Sequence, residues 1–121
     1  MIRTRRWNDP PQEGDGTRIL VCRYRPRGVK KSDETWDEWV PDLGPSRELH
    51  HEVYSDKGLP WGEYRHRYLA EMREPRPAFY IRALQQRVAA GEHLTLLCSS
   101  ACVDEALCHR SLLKALIESE R

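Results

Sequence analysis

The 121-residue sequence lacks long apolar runs and a strong excess of either charge sign. The arginines near its start precede Trp7-Asn8-Asp9-Pro10 rather than an apolar segment, so no secretory signal peptide is predicted. No apolar stretch approaches the length of a membrane-spanning helix. These absences predict a cytoplasmic protein that has no membrane partner and whose cysteines stay reduced.

Paired cysteine knuckles with a long spacer are also absent, and no disulfide framework is expected, because cytoplasmic cysteines stay reduced. Three of them, Cys98, Cys102 and Cys108, lie in "LLCSSACVDEALCHRSLL" (96–113), directly before His109 and Arg110. This gathering leaves free thiols, a metal site or redox chemistry as roles. Repeats and low-complexity segments are missing, and the length fits one domain, 1–121, with a modest core.

Two apolar segments predict buried strands, "TRILVCRYR" (17–25) and "HLTLLCSS" (93–100). "MIRTRRW" (1–7) favours a further short strand. A short turn or helix is predicted over 33–40, after the candidate cap Ser32. Helical patterns also follow Ser46, Pro60 and Pro77, and the last helix is expected to begin at the cap Asp104. The order of these elements predicts a single compact α/β domain with a short, mainly parallel sheet flanked by helices.

The end of the second apolar strand is the predicted site. Ligands of open α/β sheets bind beyond the carboxyl ends of strands, where Cys98 lies. Cys108 and His109 belong to the start of the last helix, so we expect them to face Cys98 across the connecting loop. Loop N–H groups and the helix dipole favour a negative charge there, and Arg110 adds a planar donor.

The segment "CRYRPRG" (22–28) is expected to form the opposite wall. Arg23, Arg25 and Arg27 occupy alternating positions, so their side chains would start on one side of the first apolar strand. If the two apolar strands are neighbours, Arg23 or Arg27 comes close to the loop after Cys98. The prediction is a pocket with thiols on one wall and guanidinium groups on the other.

This pocket favours a small anionic ligand that bears a phosphate or carboxylate group. Its predicted binding residues are Arg23, Arg27, Arg110 and Cys108. Thiol-dependent catalysis is the accompanying hypothesis, with Cys98 as nucleophile and His109 as base. Whether the protein is an enzyme stays open, because buried cysteines also pack as small apolar side chains. The sequence identifies no cofactor.

Two alternatives remain. The spacing Cys98-x3-Cys102-x5-Cys108-His109 offers soft ligands for zinc or an iron–sulfur cluster, which Cys22 would complete if the strands are adjacent. Arginines interleaved with aromatic residues are also a feature of nucleic-acid-binding modules. The formal net charge of +1 disfavours nucleic acid as a partner, because such modules are usually strongly basic.

Four segments resemble the YeaO-like family, a bacterial and archaeal domain of unknown function. They are "GTRILVCRYRPRGVKK", "DEWVPDLGPSREL", "YRHRYLAEM" and "LTLLCSSACVDEALCHRSLL", and the resemblance extends from Ile2 to Ile117. It implies a compact α/β domain and no established activity, cofactor or partner. In the family an Asp usually stands directly before the first arginine of its "DR…PRG" motif, which corresponds to Arg23, whereas Cys22 occupies that position in this chain.

Overall fold

The computed structural model describes residues 1–119, which contain a sheet of four parallel strands. The strands are β1 (Ile2–Arg6), β2 (Thr17–Leu20), β3 (Glu38–Trp39) and β4 (Leu94–Cys98). Their order across the sheet is β1-β4-β2-β3, so the apolar strands β2 and β4 are central neighbours. The prediction of an α/β fold with a mainly parallel sheet is confirmed.

The described residues also form four α-helices. The first three, α1 (Arg47–Val53), α2 (Trp61–Glu71) and α3 (Pro75–Ala89), connect β3 to β4, and α4 (His109–Glu118) follows β4. The predicted cap at Ser46 is confirmed, since its hydroxyl accepts a hydrogen bond of 3.1 Å from the Leu49 backbone amide. Pro75 begins α3, where the missing N–H of proline costs no helical hydrogen bond.

The continuous apolar runs of β2 and β4 reflect burial on both faces of the sheet. Ile19 and Leu96 pack into the larger apolar cluster with side chains of α2, α3 and α4, whereas Leu20 and Leu97 pack with Trp36. Alternate residues of a strand point to opposite faces, so the two clusters lie on opposite sides of the sheet. The stripe expected on the helix after Pro60 is buried at Tyr64, Tyr68 and Met72.

Two local predictions were wrong. Strand β2 ends at Leu20, so Arg23 and Arg27 follow the strand instead of alternating along it. The segment over 33–40 leads into β3, in which Glu38 and Trp39 pair with the end of β2. The local preference for a turn or helix is overridden in this segment, because pairing with a neighbouring strand supplies the backbone hydrogen bonds.

The last helix begins five residues later than its predicted cap. Asp104 caps a short 3₁₀ helix (Glu105–Leu107), and its side chain accepts a hydrogen bond of 3.0 Å from the Ala106 backbone amide. Cys108 is extended and α4 starts at His109. This break brings Cys108 and His109 back toward the carboxyl end of β4.

A buried ion pair fixes the start of β2 near β1. The Arg18 guanidinium lies 2.8 Å from the Asp15 carboxylate, and both side chains are 4% exposed. Burial alone would raise the pKa of Asp15, but hydrogen bonds from the Gln12 amide, Arg18 and Arg3 lower it to about 2. Among the described residues, none of the helices has the length and apolarity needed to cross a bilayer.

Candidate functional site

The candidate site lies at the carboxyl ends of the two central strands. Cys98 is the last residue of β4, and the Val21 backbone amide, just beyond β2, donates a hydrogen bond of 3.0 Å to Leu97. Cys22 therefore lies beside the end of β4, as expected for neighbouring parallel strands. The loop from Cys98 to α4 forms the remainder of the site.

Three sulfur atoms meet in this loop, and we call Cys98, Cys102 and Cys108 the sulfur cluster. The Sγ atom of Cys108 lies 2.7 Å from that of Cys102 and 3.2 Å from that of Cys98. All three sulfur atoms lie within 4.8 Å of one another. Cys98 and Cys108 are buried, whereas Cys102 is half-buried, so Cys102 is the most accessible member of the cluster.

His109 connects this cluster to β2. Its Nε2 atom lies 2.7 Å from the carbonyl oxygen of Val21, and its Nδ1 atom lies 3.8 Å from the Cys98 sulfur. Burial lowers the pKa of His109, so its ring is neutral. A neutral ring has one N–H, and the Val21 carbonyl can only accept; Nε2 therefore carries the proton and Nδ1 faces Cys98 as an acceptor.

Of the three clustered cysteines, Cys102 is the one whose pKa is lowered. Hydrogen bonds with Cys108 and Cys98, together with the positive charge of Arg110, lower the pKa of Cys102 to about 3. The hydrogen bonds with Cys102 raise the pKa values of Cys98 and Cys108, because each of these two residues stays a protonated thiol in order to donate. The arrangement is one thiolate stabilised by two thiols.

Arg110 supplies a buried positive charge behind the cluster. It is 4% exposed, and its Nη2 atom donates a hydrogen bond of 3.3 Å to the Cys102 carbonyl oxygen. Within residues 1–119 its Nε and Nη1 atoms are buried without a hydrogen-bond partner. A buried cation is costly unless a negative charge compensates it, so Arg110 favours the thiolate form of Cys102.

A cavity of about 520 Å³ opens in front of the sulfur cluster. The cluster, Cys22 and His109 form part of its wall. The rest is mainly aromatic and apolar, and its aromatic members are Tyr24, His50, Tyr54, Trp61 and Tyr64. Cavities of this size accept a small organic molecule.

The predicted arginines occupy three different environments. Arg23 lines the cavity, where its Nε atom donates a hydrogen bond of 2.9 Å to the Pro45 carbonyl oxygen. Gly44 permits this approach, because a Cβ atom there would overlap the Arg23 backbone. Arg27 is exposed and does not line the cavity, and Arg110 lies behind the cluster rather than on its wall.

The structure thus brings together Cys98, Cys108, His109 and Arg23 but places Arg27 outside the cavity. The proposed roles change. Cys98 is 3% exposed and its pKa is raised, which disfavours it as a nucleophile, and the low pKa of His109 disfavours it as a base. Sequence reasoning assigned Cys102 only to the metal alternative, because its contact with Cys108 depends on the fold of the loop.

Aromatic residues of the cavity were also missed. Trp61 and Tyr64 belong to the helical stripe that was interpreted as core, and both line the cavity from the first turn of α2. Tyr68, one turn later, is fully buried in the core as predicted. The spacing alone could not separate the two because all three lie on the same face of α2.

The profile of the DUF488-N3a family, described as the active DUF488-N3 subclade, matches residues 2–121. The chain belongs to this family. The predicted resemblance to YeaO is confirmed, since the chain is 41% identical to the uncharacterized protein YeaO of Escherichia coli (strain K12) over 71 residues. That match covers 59% of this chain and 61% of YeaO, so the chain spans about three-fifths of this relative.

Two mycobacterial relatives of this DUF488-N3a chain match over a longer region. They are the uncharacterized proteins Rv3073c of Mycobacterium tuberculosis (strain ATCC 25618 / H37Rv) and Mb3100c of Mycobacterium bovis (strain ATCC BAA-935 / AF2122/97). Each is 31% identical over 86 residues, which cover 71% of this chain and 72% of the relative. No solved structure matches the chain significantly.

Proposed function

We propose that the protein binds a small organic ligand in the cavity and forms a covalent bond to it through the Cys102 thiolate. The observation that carries this proposal is the position of Cys102, the half-buried member of the sulfur cluster, whose carbonyl oxygen accepts a hydrogen bond from the buried guanidinium of Arg110. A low-pKa, partly exposed thiolate next to an open cavity is the usual arrangement of a nucleophilic cysteine. The description of the subclade as active agrees with this use.

The covalent step has a simple balance. The Cys102 sulfur donates an electron pair to an electrophilic carbon of the ligand, and a carbon–sulfur bond forms. The bond from that carbon to its leaving group breaks, and the leaving group departs with the bonding pair and takes a proton from water. Cys98 and Cys108 retain their protons throughout, because their raised pKa values keep them as thiols.

An acidic group on the ligand would bind Arg23, the one predicted arginine on the cavity wall. Its Nη1 atom lies 3.7 Å from Asp42, a contact too long for a strong ion pair, so its charge is only partly compensated. The predicted anionic ligand therefore depends on Arg23 alone. His109 acts as a positioning residue, since its Nε2 atom donates to the Val21 carbonyl oxygen and its Nδ1 atom lies 3.8 Å from the Cys98 sulfur.

The test is the pH profile of alkylation by iodoacetamide, with the modified cysteine located by peptide mass spectrometry. Because the pKa of Cys102 is about 3, its rate constant should stay constant between about pH 5 and pH 8. An ordinary thiol, with a pKa near 8.5, would slow about tenfold for each pH unit below that value. A profile of this ordinary kind at Cys102 overturns the proposal. Cys102→Ser should abolish the pH-independent reaction, and Cys22→Ser should leave it intact.

A soft metal ion is the second candidate, because the three clustered sulfur atoms lie within 4.8 Å of one another. Three thiolates and a free fourth position suit zinc or copper(I). Elemental analysis of protein purified without chelators distinguishes the candidates. One equivalent of metal, together with faster alkylation after chelation, supports a metal centre. Substoichiometric metal with unchanged alkylation excludes it and leaves the nucleophile.

A further inference from the structure

The exposed large apolar side chains gather at the mouth of the cavity. Of the seven recorded in residues 1–119, four line it: Tyr24, Tyr54, Val103 and Leu107, which are 46%, 64%, 76% and 52% exposed. Exposed apolar groups scattered singly need no explanation, but their concentration around one opening is typical of a binding site. The mouth is therefore built to contact apolar surface of the ligand.

Two sets of aromatic rings line the cavity. The first is the series Tyr24, His50 and Tyr54. The ring centroid of His50 lies 4.9 Å from that of Tyr24 and 4.8 Å from that of Tyr54. The second is the pair Trp61 and Tyr64, whose rings stack 5.5 Å apart with an interplanar angle of 27°. Rings whose faces and edges border one space favour a planar aromatic guest through offset stacking and edge contacts.

The charges on the wall favour an uncharged ring. Apart from the Cys102 thiolate, the groups with formal charge on the wall at neutral pH are Arg23 and Asp104. Burial and the neighbouring charge of His51 lower the pKa of His50, so His50 is neutral within the aromatic series. Neither set of aromatic rings therefore carries a formal charge that would pair with a charged ring.

We infer that the ligand carries an uncharged planar aromatic or heteroaromatic ring, which the two sets of rings hold while its electrophilic carbon faces Cys102. This inference rests on the proposed function and names its substrate class. It adds a specificity role for Tyr54 and Trp61, which hold the ring and take no part in bond formation. An aliphatic group of equal size would bury a similar apolar surface in the cavity but would not make the stacking and edge contacts between rings.

Three alkylating probes with one reactive group test the inference: chloroacetamide, its N-phenyl derivative and its N-cyclohexyl derivative. In each the Cys102 sulfur displaces chloride, so only the appended group differs. Each rate constant is divided by that for glutathione, which removes intrinsic reactivity. We expect the normalised rate constant of the N-phenyl derivative to be about tenfold above that of chloroacetamide and to saturate with probe concentration. The normalised rate constant of the N-cyclohexyl derivative should be several-fold lower than that of the N-phenyl derivative.

A matched pair of variants locates the effect. Tyr54→Leu should lower the ratio of the N-phenyl rate constant to the chloroacetamide rate constant, both measured in that variant. Phe79→Leu is the control, because Phe79 is also an exposed aromatic residue, 61% against 64% for Tyr54, and does not line the cavity. Neither side chain is buried, so loss of folding does not confuse the result.

The outcomes separate the inference from the proposed function. Equal normalised rates for the three probes, or equal rates for the phenyl and cyclohexyl derivatives, overturn the aromatic substrate class. A pH-independent chloroacetamide reaction at Cys102 would leave the nucleophile standing in that case. A chloroacetamide reaction that follows an ordinary thiol titration overturns the nucleophile, whatever the ratio between the derivatives.

Discussion

The sulfur atom of Cys102 lies 2.7 Å from that of Cys108, although five residues of loop and 3₁₀ helix separate them in the chain. Cys108 in turn lies 3.2 Å from Cys98 at the end of β4. All three cysteines line the cavity, but Cys102 is half-buried whereas Cys98 and Cys108 are buried. The chemistry proposed for the site depends on that asymmetry.

Arg110→Met should raise the pKa of Cys102. The substitution removes the buried positive charge behind the cluster but keeps an unbranched side chain of similar length. Loss of an opposite charge at close range shifts a pKa by about one unit or more. The measurement is the pH midpoint of alkylation at Cys102. Arg27→Met removes an exposed charge outside the cavity and should leave that midpoint where it is.

Hydrogen peroxide should oxidise Cys102 first and link it to Cys108. The thiolate attacks one peroxide oxygen, hydroxide leaves, and a sulfenic acid forms on Cys102. The Cys108 thiol then displaces water from that sulfur and forms a disulfide. Mass spectrometry should show the loss of two hydrogens and a 102–108 crosslink. In Cys108→Ser the sulfenic acid should persist and react with dimedone; a disulfide that included Cys22 instead would contradict the geometry.

Asp15→Asn should destabilise the protein, because it leaves the buried Arg18 guanidinium without its carboxylate. Breaking a buried pair in this way costs about 3–5 kcal/mol. In the wild type the carboxylate has a pKa of about 2 when folded, so its stabilising contribution is present above about pH 4 and is lost as the pH falls through 2. Urea unfolding at several pH values measures both effects, and the variant should lack this acid-dependent loss.

His109 should make folding sensitive to mild acid. Burial lowers its folded pKa below the unfolded value of about 6.5, so the unfolded state takes up a proton first as the pH falls. The free energy of unfolding should therefore decrease below about pH 6.5 and be unaffected by this group above it. His109→Gln keeps a donor for the Val21 carbonyl and cannot be protonated. The difference between the pH profiles of the wild type and the variant measures the contribution of His109 to the free energy of unfolding. Identical profiles would refute the claim that burial lowers the pKa of His109.

Much of the fold could be predicted because it depends on local chemistry. Continuous apolar runs predicted β2 and β4, and the hydroxyl of Ser46 predicted the start of α1. The end of β2 at Leu20 could not be read locally, since its last hydrogen bonds depend on where β3 and β4 lie. The same limit applies to Glu38 and Trp39, which become a strand only beside β2.

By itself the sequence determined the chemical inventory of the site: the thiols around Cys98, the imidazole of His109 and the guanidinium of Arg110 at one strand end. Only the tertiary structure decided their roles. The contact between Cys102 and Cys108, and the burial of Arg110 against the Cys102 carbonyl oxygen, favour Cys102 as the sulfur that carries the charge. Protonation depends on distances of a few ångströms and on access to water, and neither is encoded in residue spacing along the chain.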